Sequence, residues 1–140
     1  MNLVDQTLFG AGNGNCFPAC IATLTGIPLD VIPNYCATHG DNAWYRAFAL
    51  WLRPYGFAPV SFLFADANAT HNHLDWADDI APTTPWIACG ETDRGKHAVV
   101  FVGSRMLHDP NPNHGRAGVQ RVEDATYLVR TVDALTGVRR

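Results

Sequence analysis

Cys16 follows the run Gly10-Ala11-Gly12-Asn13-Gly14-Asn15 and precedes Phe17, Cys20, Ile21 and Leu24, apolar residues at helical spacing. A thiol attacks a carbonyl carbon as thiolate. A helix start favours that form, because the partial positive charge of unpaired N–H groups lies beside the sulfur. The glycine-rich loop lets backbone N–H groups and a substrate carbonyl come close to it. The competing reading of any cysteine is a small buried hydrophobe. That reading suits Cys20, one turn further in, which lacks both features.

A thiol nucleophile needs a base. Of the six histidines, 39, 71, 73, 108 and 114 sit in loops or turns or beside prolines, where a solvated imidazole is the ordinary expectation. His97 opens the apolar run Ala98-Val99-Val100-Phe101-Val102 after a tight turn. A ring there is either a satisfied hydrogen-bonding group or a placed base, and Cys16 makes the second reading the sharper one. Asp109 follows twelve residues later, across a hairpin turning at Gly103-Ser104. This brings it to the same sheet end as His97, on the neighbouring strand, where a carboxylate can orient an imidazole. Taken alone, Asp109-Pro110 is a turn signal. Cys36-x-x-His39 and His71-x-His73 suggest zinc, but neither has a companion pair at suitable spacing. No metal or other cofactor is expected.

The elements that must position these groups follow from periodicity. A helix is expected from Cys16 to Gly26, with Pro18 tolerated in its first turn. One helical turn is expected within Ile27–Pro33 and a second helix from about Asn42 to Leu52, with Trp44, Phe48 and Trp51 inward. Strands are expected at Val60–Phe64, Pro85–Cys89, His97–Val102, Arg105–His108 and Tyr127–Val132, with a hairpin turn at Thr92–Gly95. Residues 66–82 read as a polar surface excursion beside a site. Helices first and an antiparallel sheet afterwards make an α+β domain.

The chain of 140 residues is 47% apolar and 16% charged, which excludes a disordered polymer and predicts one domain. Its net charge of −3 carries no basic stripe, so no nucleic-acid partner is expected. No apolar run approaches the roughly 20 residues of a membrane span. Met1–Asn15 lacks the basic flank and apolar core of a secretory signal. A cytoplasmic location with four free thiols is the expectation.

A cysteine at a helix start, His97-Ala98-Val99-Val100 at a strand start and Asp109-Pro110 a dozen residues on together resemble the papain-like cysteine peptidases. The likeness is closer to the compact bacterial peptidase C39-like group. The stretch Asp5-Gln6-Thr7 through Gly14-Asn15-Cys16-Phe17-Pro18-Ala19-Cys20 to Pro28-Leu29 also resembles small proteins of phages and bacteria. The likeness covers residues 5–33 and 85–112. It implies a papain-like fold and acyl transfer, with Cys16 as nucleophile, His97 as base and Asp109 holding the ring. Gln6 and the Cys16 N–H would form the oxyanion hole. Gln6 lies ten residues before Cys16, a longer spacing than is usual, and Pro18 stands where a polar or basic residue is common. The implied substrate is a peptide or protein with a peptide or isopeptide bond. The same triad serves amidases, deamidases and acyltransferases, and the fold also occurs in silent binding proteins.

Overall fold

The computed structural model describes residues 1–40, 43–64 and 74–131. Helix α1 (Cys16–Thr25) ends where Gly26, at φ +77°, donates its N–H to the Ala22 carbonyl. A 3₁₀ turn at Leu29–Val31 and the short α2 (Tyr35–Thr38) lead to α3 (Ala43–Leu52). Strand β1 (Phe57–Leu63) and helix α4 (Asp75–Ile80) follow. The chain then forms β2 (Pro85–Thr92), β3 (Gly95–Val102), β4 (Arg105–His108) and β5 (Arg121–Arg130).

The five strands form one antiparallel sheet in the order β1-β5-β2-β3-β4. Its centre is buried on both faces, which explains the unbroken apolar runs of β2 and β3. Ile87, Ala98 and Val100 face a core with Phe17, Ile21, Phe48 and Leu52. Their alternates Trp86, Ala88, Val99 and Phe101 meet Leu74 and Ala77 on the other face. The fold is α+β, as expected.

The differences from the sequence reading have local causes. Strand β1 starts at Phe57 rather than Val60, and its Pro59 is tolerated because β1 is an edge strand. It also falls between helices and pairs with β5, so the sheet is not confined to the last part of the chain. Strand β5 starts at Arg121 rather than Tyr127. Charge masks its first residues, but their backbone pairs with β2, and Lys96 bridges Glu123 from β3. Within the expected 66–82 excursion, residues 65–73 lie outside the described residues. Helix α4 is not merely surface, since Leu74 and Ala77 are buried against Trp86. Val132 and the Asn42 helix start also lie outside them. Asp78 of α4 accepts from the Ser104 N–H (2.8 Å) and from its hydroxyl, which ties α4 to the β3–β4 turn.

Among the described residues no helix is long and apolar enough to cross a membrane.

Candidate active site

Cys16 is the first residue of α1, and Asn15 before it is buried. The Asn15 side chain does not cap the helix. Its Oδ1 instead accepts from the N–H groups of Thr7 (3.0 Å) and Leu8 (2.9 Å), and its Nδ2 donates to Thr7 Oγ1 (3.0 Å). The first intrahelical bond is Ala19 N–H to the Asn15 carbonyl (3.0 Å). The Cys16 and Phe17 N–H groups therefore have no acceptor within the helix, and Pro18 has no N–H. This leaves donors pointing out of the helix start, beside the sulfur.

His97 lies near the start of β3 and is largely buried, its side chain 11% exposed. Its Nε2 donates to Asp109 Oδ1 at 2.7 Å. Burial pushes the imidazole down, but hydrogen bonds to Asp109 and Cys16, with the negative charge of both, raise it to about 9. With Nε2 held by the carboxylate, Nδ1 is the nitrogen left to exchange a proton with the thiol. Asp109 sits just past β4 and is 3% exposed. Burial pushes its carboxyl up, but the donors His97, Asn111 N–H and Gly118 N–H hold it below the usual range. Those two backbone bonds are 2.9 Å to Oδ1 and 2.7 Å to Oδ2. The acid is thus ionised, and both its oxygens are occupied.

Gln6 is also buried, at 7% exposure, rather than fraying at a terminus. Its Nε2 donates to the Leu8 carbonyl (2.8 Å), which also accepts the Asn15 N–H (3.2 Å). The shared acceptor ties the amide to Asn15, the residue just before Cys16. A carbonyl can only accept, so this contact also identifies which end of the amide is nitrogen. The Oε1 is buried without a partner. Residues 10–14 loop out between Gln6 and Cys16, with Gly10 and Gly12 at φ +100° and +77°. Asn34 Nδ2 pins the loop through the Asn13 and Gly14 carbonyls, both at 3.2 Å.

The other thiols differ. All four cysteines are free. Burial pushes Cys20 and Cys89 well up, and burial with the nearby Cys16 charge pushes Cys36 up to about 12. His108, expected to be solvated, is instead buried, its Nε2 donating to the Val4 carbonyl (3.0 Å) and lying 3.3 Å from Asp5. His39 is exposed with its ring edge-on to Tyr35, and His71 and His73 lie outside the described residues. Among the described residues no three His, Cys, Asp or Glu side chains group so as to hold a metal.

Sequence reasoning passed over Asp5, Arg116 and Gly118, which surround Asp109. Arg116 donates to the Asp109 carbonyl and to both oxygens of Asp5. No spacing rule links positions so far apart; the only signal was Asp5 beside Gln6 in the stretch that carries the resemblance. A recess of about 390 Å³ opens beside this pair, lined by Leu3, Met106 and Leu107 as well as Asp109, and not by Cys16 or His97.

Comparison with family models, with curated proteins and with solved structures finds no match to this chain. Fold and geometry by themselves define a class: an α+β domain in which a helix-borne thiol meets a sheet-borne imidazole backed by a buried carboxylate.

Proposed function

We propose that this protein is a thiol-dependent acyl-transfer enzyme of papain-like type, cleaving a peptide, isopeptide or related amide bond. One observation carries the reading. Burial pulls the His97 imidazole down, yet its Nε2 hydrogen bond to Asp109 (2.7 Å) and its interaction with the Cys16 thiol raise it to about 9. A ring in that state is cationic near neutrality, the charge that a thiolate nucleophile needs beside it. The order of a helix-borne cysteine, then histidine and aspartate from an antiparallel sheet, also agrees with a papain-like arrangement.

The reaction follows from these atoms. Cys16 Sγ attacks the carbonyl carbon, and the oxygen gathers negative charge. The Cys16 N–H and the second hydrogen of Gln6 Nε2 stabilise it, the first being given to Leu8. As the C–N bond breaks, the His97 Nδ1 proton passes to the leaving nitrogen. Water then attacks the thioester, giving a proton back to Nδ1, and the acid leaves as the C–S bond breaks. Asp109 keeps the ring oriented throughout.

The test is to incubate the chain and its Cys16→Ala variant with a proteome-derived peptide library and read the products by mass spectrometry. New termini made only by the wild type support a peptidase. Conversion of glutamine or asparagine amides to acids makes it a deamidase on the same triad. No Cys16-dependent product, together with Cys16 alkylation no faster than that of an ordinary thiol, removes the enzymatic reading in favour of a binding role.

A further inference from the structure

The segment from Asp109 to Gly118 closes on the Asp109 carboxylate at both ends, through the Asn111 and Gly118 N–H groups. Between these contacts the backbone is left-handed at His114 (φ 56°), Gly115 (φ 67°) and Arg116 (φ 53°). Side chains other than glycine adopt that region at a cost, so something must hold the segment there. The Arg116 guanidinium does. Its Nη1 donates to the Asp109 carbonyl (2.8 Å) and to Asp5 Oδ1 (2.6 Å), and its Nη2 donates to Asp5 Oδ2 (3.0 Å). The next residue, Gln6, donates its N–H to the Pro110 carbonyl (2.9 Å). One planar fork thus joins the residue carrying the carboxylate to the residue beside the amide.

We propose that Arg116, acting through Asp5, is a positioning residue that holds the Asp109 carboxylate and the Gln6 amide in register with Cys16 and His97. The inference rests on the triad reading above. Arg116 and Asp5 are each 42% exposed at the side chain, and exposed ion pairs contribute little to stability. The consequence therefore belongs in the site, not in the melting temperature. Besides Arg116, Asp5 has His108 Nε2 at 3.3 Å and the Asp109 carboxyl as ionisable neighbours. The groups facing His97 are Asp109 and Cys16.

Alkylation of Cys16 by iodoacetamide reads the site without a substrate. Rates are followed by mass spectrometry from about pH 5 to pH 10 in wild type, Arg116→Met, Arg116→Lys and Asp5→Asn, with melting temperatures alongside. In the wild type, Cys16 alkylates ahead of the other thiols, with a further rise as His97 loses its proton. Arg116→Met and Asp5→Asn should slow Cys16 at pH 6 by about three- to tenfold and move the alkaline step to lower pH, with little change in melting. Arg116→Lys should recover part of the rate, since it keeps the charge but not the fork. A folded Arg116→Met or Asp5→Asn with the wild-type profile overturns the proposal, even if it melts earlier. Should Arg116→Met fail to fold, Asp5→Asn, which keeps its shape, decides alone. A wild-type Cys16 that reacts like an ordinary thiol overturns the triad reading itself, a result distinct from variants that match an activated wild type.

Discussion

At the level of single residues, Cys16 and His97 act as one unit, so replacing either with alanine should abolish Cys16-dependent turnover. Asp109→Ala should leave partial activity, because the carboxylate orients the ring and makes no bond to substrate. Turnover should fall as pH rises through about 9, where His97 loses the proton it must give to the leaving group. A pH–rate profile flat to pH 10 would contradict that role. Gln6→Ala should lower kcat by about 10²–10³-fold, the usual loss for one oxyanion donor. Because Gln6 is buried and bonded to Leu8, its removal should also cost about 1 kcal/mol in urea unfolding. Unchanged kcat in a folded Gln6→Ala chain would take it out of the site. Cys16, His97 and Asp109 were legible as residues because each has a local signature: a glycine loop before a helix, a polar ring opening an apolar strand, an Asp-Pro stop. Asp5 and Arg116 have none, and their meeting depends on the whole chain closing.

Secondary-structure elements carry two further expectations. The start of α1 is tied to the N-terminal segment by the Asn15 side chain, which satisfies two backbone N–H groups and a hydroxyl. Asn15→Ala should cost about 1–3 kcal/mol by stranding those donors, and should slow Cys16 alkylation as the helix start loosens. Equal stability and reactivity would show that the tie is dispensable. Gly90 of β2 stands opposite His97 across the β2–β3 pair, next to a register shift against β5. A Cβ there would lie 1.8 Å from the Arg121 carbonyl. Gly90→Ala must therefore push β5 away, and should destabilise the fold by about 1–3 kcal/mol or more in urea titration. A variant as stable as wild type would mean that the bulge opens freely. Helix α1 and strands β2 and β3 were visible as long periodic or continuous apolar segments. The four-residue α2 and six-residue α4 were not, since one or two turns hold too few residues to set a period.

For the molecule as a whole, the His97–Asp109 pair links stability to pH. His97 is raised to about 9 from 6.5, so protonation favours the folded state; its contribution is full below pH 6.5 and lost as pH climbs through about 9. Asp109 is held below 3.8, so its contribution is full above that value and lost as pH falls through its folded value. Both are present between about pH 4 and 6.5. The melting temperature of wild type should therefore exceed that of His97→Gln most in this window, with the gap narrowing toward pH 9. A gap constant across the range would show that the pair is not coupled to folding.

The amino-acid order by itself determined the α+β class, the α1 helix with Cys16 at its head, the β2–β3 hairpin and the short list of groups able to do chemistry. These depend on interactions within a few residues of each other, which periodicity and turn chemistry report. The tertiary structure alone decided that β1 inserts at the sheet edge beside β5, that Gln6 and His108 are buried, and that Arg116 reaches Asp5. Each of these requires backbone or charged groups distant in sequence to find partners. Such pairing is selected by the geometry of closure around two apolar clusters, and no local pattern records it.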